Sequence, residues 1–291
     1  MSARLHGDRI GTGVPHDFAV NVWPSARSPR LRRAMQDALA DHRYPDQSPA
    51  RRSVARRHRR RQDEVLLANG ASEVFWLLAH ALRPRRAACV HPSFTEPHAA
   101  PAAVGASVAT VVRDTGRREF DPAAVPNDAE IVVVGNPNNP TGALDDPETI
   151  LSLCRPGRLV VVDESFMDFA PDERTSLASC GREGHVAVRS LTKVWGLAGV
   201  RAGDLLGPCD LVARLEAARR PWPANAVALA AIDACAVDRQ TPARVAAVGP
   251  PSARRRTAIR MKSSRSPGKS AAARTANERL VEACATAVAQ C

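Results

Sequence analysis

A chain of 291 residues, 44% of them hydrophobic, is long and apolar enough to bury a complete core, as expected of a globular protein. No apolar stretch approaches the roughly 20 residues that span a bilayer, and no secretory signal is evident, so we expect a cytoplasmic protein without membrane association. Seven scattered cysteines without a CxxC spacing argue against a disulfide framework and a zinc site.

The net charge of +11 raises the question of a nucleic-acid partner, but the basic residues fall into two clusters. One is RRSVARRHRRR, residues 51–61, which has the pattern of a solvated helix face. The other begins at Gly249, where nine Lys or Arg against two Glu supply +7 of the charge. Neither cluster contains the interleaved aromatic residues on which bases stack, so a solvated surface is favoured over a nucleic-acid site.

The elements can be predicted in chain order from proline positions and apolar periodicity. A first helix begins at Ser28-Pro29, runs through LRRAMQDALADH and ends at YPDQSP. After the basic helix, EVLLANGASEVFWLLAHAL predicts a short strand, a glycine turn and a helix. Further strands are predicted in AACVHPSF, ASVATVVRD, EIVVVGNPNN, GRLVVVDESF and HVAVRSLTK, and helices in LVARLEAARR and PWPANAVALAAIDACAV.

These unbroken apolar strands alternate with helices, which is typical of an α/β protein with a mostly parallel sheet covered on both faces. Ligands of such open sheets bind at the carboxyl ends of the strands. The chemically useful side chains are therefore expected where the strands end.

Lys193 follows one predicted strand, in SLTKVWGLAGVRAG. A lysine at a strand end is most simply a salt-bridged surface group, and the alternative is an amine that forms a Schiff base with an aldehyde cofactor. Asp163 in VVVDESF follows a run of apolar residues, where a carboxylate needs a cationic partner such as a pyridinium nitrogen.

Other strand ends carry groups suited to the rest of such a cofactor. Asn139 in GNPNNPTG offers an amide whose direction is held by prolines. In LANGASE a strand turns through Gly70 into a helix whose first amides, those of Ala71, Ser72 and Glu73, can bind an anion. Ser190 and Arg201 add a hydroxyl and a guanidinium for a phosphate.

Taken together, the motifs NPNNPTG, DESFMDF and SLTKVWGLAGVR resemble those of the aminotransferase family of fold type I pyridoxal 5′-phosphate (PLP) enzymes, from Asn21 to about Val237. Within that family the chain looks most like the cobalamin-pathway threonine-phosphate decarboxylases, which are related to histidinol-phosphate aminotransferase. The resemblance implies an α/β fold: a three-layer large domain with a mostly parallel central sheet, next to a small domain that is incomplete here.

The resemblance also implies roles for individual residues. Lys193 is the catalytic Schiff-base lysine, Asp163 pairs with the pyridine nitrogen, and Asn139 bonds the ring hydroxyl oxygen. Phe94 stacks on the ring, unless it is an ordinary core phenylalanine. The phosphate site comprises Ala71, Ser72, Glu73, Ser190 and Arg201. Tyr44 of YPD matches a tyrosine that reaches the phosphate of the neighbouring subunit, so a homodimer is implied.

Which bond to the substrate α-carbon breaks decides the reaction. We favour decarboxylation of threonine phosphate, because His6-Gly7 and DFAVNVWP resemble the start of the decarboxylases and because Phe166 stands where many transaminases have a tyrosine. Transamination of the histidinol-phosphate type is the alternative. Either reaction implies a phosphorylated amino acid or amino alcohol as substrate.

The resemblance ends near Val248, and the polar residues that follow are too few to build the family's small domain. We therefore divide the chain into residues 1–43 as a dimer arm and small-domain segment, 44–237 as the PLP-binding domain, and 238–291 as a largely disordered basic tail. A cofactor-binding remnant with little turnover and a basic polyanion binder remain alternative functions.

Overall fold

A seven-stranded mixed sheet forms the centre of the computed structural model, which describes residues 21–23, 27–114, 119–170 and 173–248. Its order is β1-β7-β6-β5-β4-β2-β3. The strands are β1 (Val65–Ala68), β2 (Arg86–His91), β3 (Ser107–Val112), β4 (Ile131–Gly135), β5 (Leu159–Asp163), β6 (His185–Ser190) and β7 (Gly203–Leu206).

The five strands from β2 to β6 are parallel to one another, and β7 runs antiparallel between β6 and β1. The α/β class and the mostly parallel sheet are therefore confirmed. The sequence analysis did not identify β7, because GDLL is short and begins with a glycine and a charge that mask its strand character.

Eight α-helices accompany the sheet in the described part of the chain. They are α1 (Pro29–Ala40), α2 (Ser48–His58), α3 (Ala71–Leu82), α4 (Glu96–Ala103), α5 (Pro147–Leu151), α6 (Cys209–Ala217), α7 (Ala226–Val237) and α8 (Gln240–Val248). The Ser28 hydroxyl accepts the Leu31 N–H to cap α1, and Asn225 caps α7 in the same way. None of these helices has the length and apolar character to cross a membrane.

The two faces of the sheet pack against different helices. Val74 and Leu78 of α3 and Leu215 of α6 join Leu66, Val188 and other strand residues in one cluster. Val54 of α2 and Leu229 and Ile232 of α7 cover the opposite face around Leu67, Ala187 and Leu206. The successive side chains of each strand thus enter different cores, which gives the three-layer arrangement.

The basic helix α2 is less solvated than its composition indicates. Arg57 has only 7% of its side chain exposed, because Asp168 and Glu173, which are distant in sequence, pair with it. Arg60, just after the helix, is 6% exposed and contacts Glu64 and the Cys180 carbonyl. Arg52, by contrast, points to solvent. Part of the basic cluster thus joins α2 to the rest of the fold, and part of it is solvated as expected.

The folded part continues beyond residue 237, where the domain division places the start of the tail. Thr241 and Val245 of α8 are buried, and Val245 packs in the same cluster as Leu31 of α1 and Ala231 of α7. The sequence analysis missed this helix because it is short and weakly apolar. His6-Gly7 and the basic tail from Gly249 onward lie outside the described residues.

Candidate active site

The carboxyl ends of β2, β4 and β5 meet beside a narrow pocket, as expected for an open α/β sheet. The pocket is lined by Cys89, Ser93, Phe94, Pro97, Val133, Gly135, Pro137, Asn138, Asn139, Asp163 and Phe166. Three of the residues predicted to bind a cofactor ring, Phe94, Asn139 and Asp163, are thus brought together.

Asp163 is the last residue of β5 and forms no salt bridge with any described residue. Its Oδ1 accepts the backbone N–H of Ser165 at 3.0 Å. Burial raises the pKa of Asp163, while the hydrogen bonds from Ser165 and the charge of Lys193 act in the opposite direction. A carboxylate that is desolvated and unpaired is suited to a cation that enters the pocket from outside the chain.

Lys193 lies in the loop that follows β6 and is half-buried. Its Nζ is 5.4 Å from the centroid of the Phe166 ring, which lines the pocket. Burial lowers the pKa of Lys193; Asp163 opposes this shift, and the positive charge of Arg201 adds to it. A lysine with a lowered pKa supplies more of the neutral amine, which is the nucleophilic form.

Other polar atoms in the pocket also lack partners among the described residues. The side-chain amide of Asn138 donates to the Pro92 carbonyl at 3.0 Å, yet its Oδ1 is buried without a hydrogen bond. The neighbouring Asn139 side chain forms no hydrogen bond in the described part. Burial raises the pKa of the Cys89 thiol to about 12, so this group stays neutral.

The start of α3 forms an anion cradle next to Lys193. Gly70 precedes the helix with a φ of 80°, a conformation that favours glycine. The N–H groups of Ala71 and Ser72 have no hydrogen-bond acceptor among the described residues. The Glu73 N–H donates to the Gly70 carbonyl at 3.1 Å, and the Glu73 carboxylate accepts the Asn69 N–H. Two of the three predicted amides are therefore open to an anion, and Glu73 instead stabilises the turn.

Arg201 places a guanidinium over this helix start. A Cβ built on Gly70 would lie 2.5 Å from Nη2 of Arg201. A Cβ built on Gly203 would lie 2.8 Å from the Ala71 nitrogen. Both glycines are thus required for the close approach. A guanidinium beside the positive end of a helix is electrostatically unfavourable unless an anion lies between them. Ser190, paired with Gly203 across the sheet, is adjacent, and its hydroxyl hydrogen-bonds that of Thr192 at 2.8 Å.

Tyr44 lies apart from these groups. Its ring is 74% exposed and stacks on Trp222 with 4.2 Å between the ring centroids. The contact of Tyr44 with a neighbouring subunit stays a prediction.

Sequence reasoning missed a cluster of buried charges behind the site. Arg189 donates to Glu164 at 3.0 Å and to Asp168 at 2.6 Å, and Arg57 donates to Glu173 at 2.7 Å. Trp195 Nε1, two residues after Lys193, donates to Asp168 at 3.3 Å. Two signals could have pointed to the cluster: an arginine within the apolar strand HVAVRS and the second acid of DESFMDF.

Residues 15–249 match the family model described as aminotransferase class I and II. A histidinol-phosphate aminotransferase from Mycobacterium bovis is 46% identical over 250 residues, which cover 84% of this chain and 68% of that protein. The threonine-phosphate decarboxylase of Salmonella typhimurium is 32% identical over 229 residues, or 73% of this chain and 62% of that one.

The fold has close counterparts among solved structures. The histidinol-phosphate aminotransferase of Sinorhizobium meliloti, solved in complex with pyridoxal 5′-phosphate, superposes with a TM-score of 0.70. The match covers 78% of this chain and 65% of that chain at 20% sequence identity, so it is a likeness of fold alone.

Proposed function

Because the chain belongs to the class I and II aminotransferase family, we propose that this enzyme transfers the amino group of a small phosphorylated substrate of the histidinol-phosphate type. The observation that supports it best is a half-buried Lys193 and a buried Asp163 whose charges act on each other, although neither forms an ion pair among the described residues, together with the open anion cradle. The sequence analysis favoured the decarboxylase, whereas the relatives favour the aminotransferase, at 46% against 32% identity.

The cofactor is pyridoxal 5′-phosphate, and the residues present fit it. When bound, it accepts the electrons released as a bond to the substrate α-carbon breaks. The open N–H groups of Ala71 and Ser72 and the Arg201 guanidinium beside Gly70 suit a phosphate, and the Asp163 carboxylate suits a ring nitrogen that carries a proton.

In this proposal each residue near the pocket has one task. Lys193 binds the cofactor aldehyde and afterwards carries a proton at its Nζ. Asp163 holds the proton on the ring nitrogen, and Asn139 hydrogen-bonds the ring hydroxyl oxygen. Phe94 covers one ring face and excludes water.

The phosphate is bound by the opposite side of the site. The N–H groups of Ala71 and Ser72, the Ser190 hydroxyl and the Arg201 guanidinium are its proposed donors. Together these donors neutralise the negative charge of the phosphate.

Decarboxylation of threonine phosphate is the second candidate function. Phe166 favours it, because this side chain lines the pocket where many transaminases have a tyrosine and cannot donate a hydrogen bond to the ring. The substrate in both cases is a phosphorylated amino compound, so the two reactions differ in the bond that breaks and not in the class of ligand.

We further propose a homodimer in which Tyr44 reaches the phosphate site of the partner. The exposed stack of Tyr44 on Trp222 supports this, since two large aromatic rings at the surface are typical of an interface.

The test is an absorption titration of the purified protein with PLP, followed by product analysis. The sequence contains three lysines, and Lys262 and Lys269 lie outside the described residues. We expect a visible band that Lys193→Ala abolishes and that the matched control Lys262→Ala retains.

Histidinol phosphate with a 2-oxo acid acceptor, and threonine phosphate alone, then distinguish the reactions. Amino-group transfer supports the first proposal, and carbon dioxide release supports the second. A visible band without either product would identify a cofactor-binding protein without turnover, and absence of any band would overturn the proposed function.

A further inference from the structure

The loop between β6 and β7 carries both Lys193 and Arg201, so its conformation sets the distance between the amine and the anion-binding guanidinium. The loop has few hydrogen bonds of its own. Within it, the Gly196 N–H donates to the Lys193 carbonyl at 3.4 Å and the Val200 N–H to the Leu197 carbonyl at 3.0 Å. The Leu191 N–H donates to the Ala202 carbonyl at 3.1 Å, and the Arg201 side chain donates to the Ala198 carbonyl at 3.3 Å. The loop therefore depends on contacts with other parts of the chain.

One side of the loop is fixed by the core. Val194, Trp195 and Leu197 are fully buried in a cluster with α1, α7 and α8. The other side is open, because Ala198 and Gly199 are exposed. Beyond this exposed turn, the Val200 carbonyl accepts the Asn225 side-chain amide at 3.3 Å.

Two residues near the start of the chain contact the loop backbone at Lys193 and Gly196. The Trp23 N–H donates to the Lys193 carbonyl at 2.8 Å. Arg27 donates to the Gly196 carbonyl from Nη2 at 2.7 Å and from Nε at 3.2 Å. Hydrogen bonds from a charged guanidinium are stronger than those between neutral groups.

Gly196 is adapted to this contact. Its φ of 65° lies in the left-handed region, and a Cβ there would lie 2.9 Å from the Trp23 carbonyl oxygen. Both the backbone conformation and the close approach thus require glycine at this position.

Arg27 itself is held in place by α1. It directly precedes Ser28, the N-cap of α1, and its carbonyl accepts the Arg32 side chain at 3.2 Å. Leu31 of the same helix is buried with Trp195 of the loop. The N-terminus of α1 therefore places the Arg27 guanidinium next to Gly196.

We propose that Arg27 is a positioning residue: by holding the Gly196 carbonyl it fixes the loop that presents Lys193 and Arg201 to the cofactor. The inference rests on the proposed cofactor roles of those two residues. It assigns Arg27 no contact with substrate or cofactor.

The test compares Arg27→Met, which keeps the aliphatic stem, with Arg27→Lys, which keeps one donor. Arg30→Met is the matched control, because Arg30 is exposed on α1 and forms no hydrogen bond within the described residues. Each protein is measured by hydrogen exchange without cofactor and by PLP titration.

For Arg27→Met we expect faster amide exchange confined to the loop after β6 and a roughly tenfold higher PLP dissociation constant, the effect of losing the charge-assisted contact with the Gly196 carbonyl. The pH midpoint of the visible cofactor band should shift as well. Arg27→Lys should fall between Arg27→Met and wild type, and Arg30→Met should match wild type.

The inference would be overturned if Arg27→Met exchanged its loop amides at the wild-type rate and bound PLP with wild-type affinity. Exchange that rises equally throughout the sheet, with a lowered melting temperature, would also overturn it, since that marks a general structural role. If wild-type protein binds no PLP, the proposed function fails, and the exchange measurement still decides whether Arg27 holds the loop.

Discussion

Two groups of charged residues lie back to back at the ends of β5 and β6, and they differ in how their charges are satisfied. Behind the sheet, Glu164 and Arg189 belong to a buried cluster in which ion pairs hold the charges. In the pocket, Asp163 and Lys193 form no ion pair within the described residues. Asp163 and Glu164 are thus adjacent in sequence, yet within the described residues only the charge of Glu164 is neutralised by an ion pair.

The alternation of side chains along a strand explains this difference. Asp163 faces the pocket and Glu164 the cluster, while Ser190 faces the anion cradle and Arg189 the cluster. Charges that stabilise the fold are neutralised within the chain. Charges left desolvated and unpaired indicate a ligand, because their energetic cost is recovered only when it binds.

The largest effect on activity is expected for Lys193→Ala. The proposed roles of this amine as nucleophile and proton carrier predict a loss of roughly 10³-fold or more in kcat. The melting temperature should stay near that of wild type, since no ion pair is lost. A steady-state assay beside a thermal melt checks both expectations, and an active Lys193→Ala enzyme would refute the assignment.

The largest effect on stability is expected for Arg189→Met in the buried cluster. Removing Arg189 leaves the buried Glu164 without its cation and leaves Asp168 paired with Arg57 alone, at a cost of about 3–5 kcal/mol. Denaturant unfolding measures this loss. Arg52→Met is the control, since Arg52 is exposed and its replacement should leave the unfolding midpoint unchanged.

Arg201→Gln should weaken the cofactor complex without weakening the fold. The loss of one charge-assisted contact to phosphate predicts a PLP dissociation constant about 10- to 100-fold higher. Titration with PLP and with inorganic phosphate as competitor measures it. An equal loss in thermal stability of the cofactor-free protein would instead place Arg201 with the structural charges.

Asp204 lies beside the buried cluster, opposite Arg189 in the β6–β7 pair, and its effect should depend on pH. Burial raises its pKa to about 7 from 3.8, although Arg189 opposes the shift, and its Oδ1 has no hydrogen bond with described residues. A carboxyl with a raised folded-state pKa stabilises the protein below about pH 4, and this contribution is lost as the pH rises through 7.

The stability of Asp204→Asn relative to wild type should therefore increase between pH 5 and pH 8, by at most about 1.4 kcal/mol per pH unit. Denaturant unfolding of both proteins across this range measures the difference. Asp37→Asn, at an exposed position of α1, should show no such trend. A constant difference for Asp204→Asn would mean that Asp204 is already ionised at pH 5.

Much of the site could be predicted because its residues stand next to clear signals. Asp163 and Ser190 end Val-rich strands, and Gly70 marks the turn into α3. The structure brings these strand ends together as expected. The open amides of Ala71 and Ser72 were likewise predictable, whereas the bond of the Glu73 N–H to Gly70 depends on the local turn geometry.

Long-range partners could not be predicted in the same way. Arg57 lies in a run of arginines that reads as solvated, and only folding brings it to Asp168 and Glu173. The strand β7 gains its place between β1 and β6 from pairing on both sides. Arg27 gives no local signal of its contact with Gly196, which lies 169 residues away.

The sequence by itself determined the α/β class, the strand ends and the types of side chain they carry, because hydrophobic period and turn residues are local properties of the chain. Only the tertiary structure decided which charges became paired and which stayed open in the pocket. The reason is that ion pairing and desolvation depend on residues distant in sequence, whose approach is set by the packing of the whole sheet and its helices.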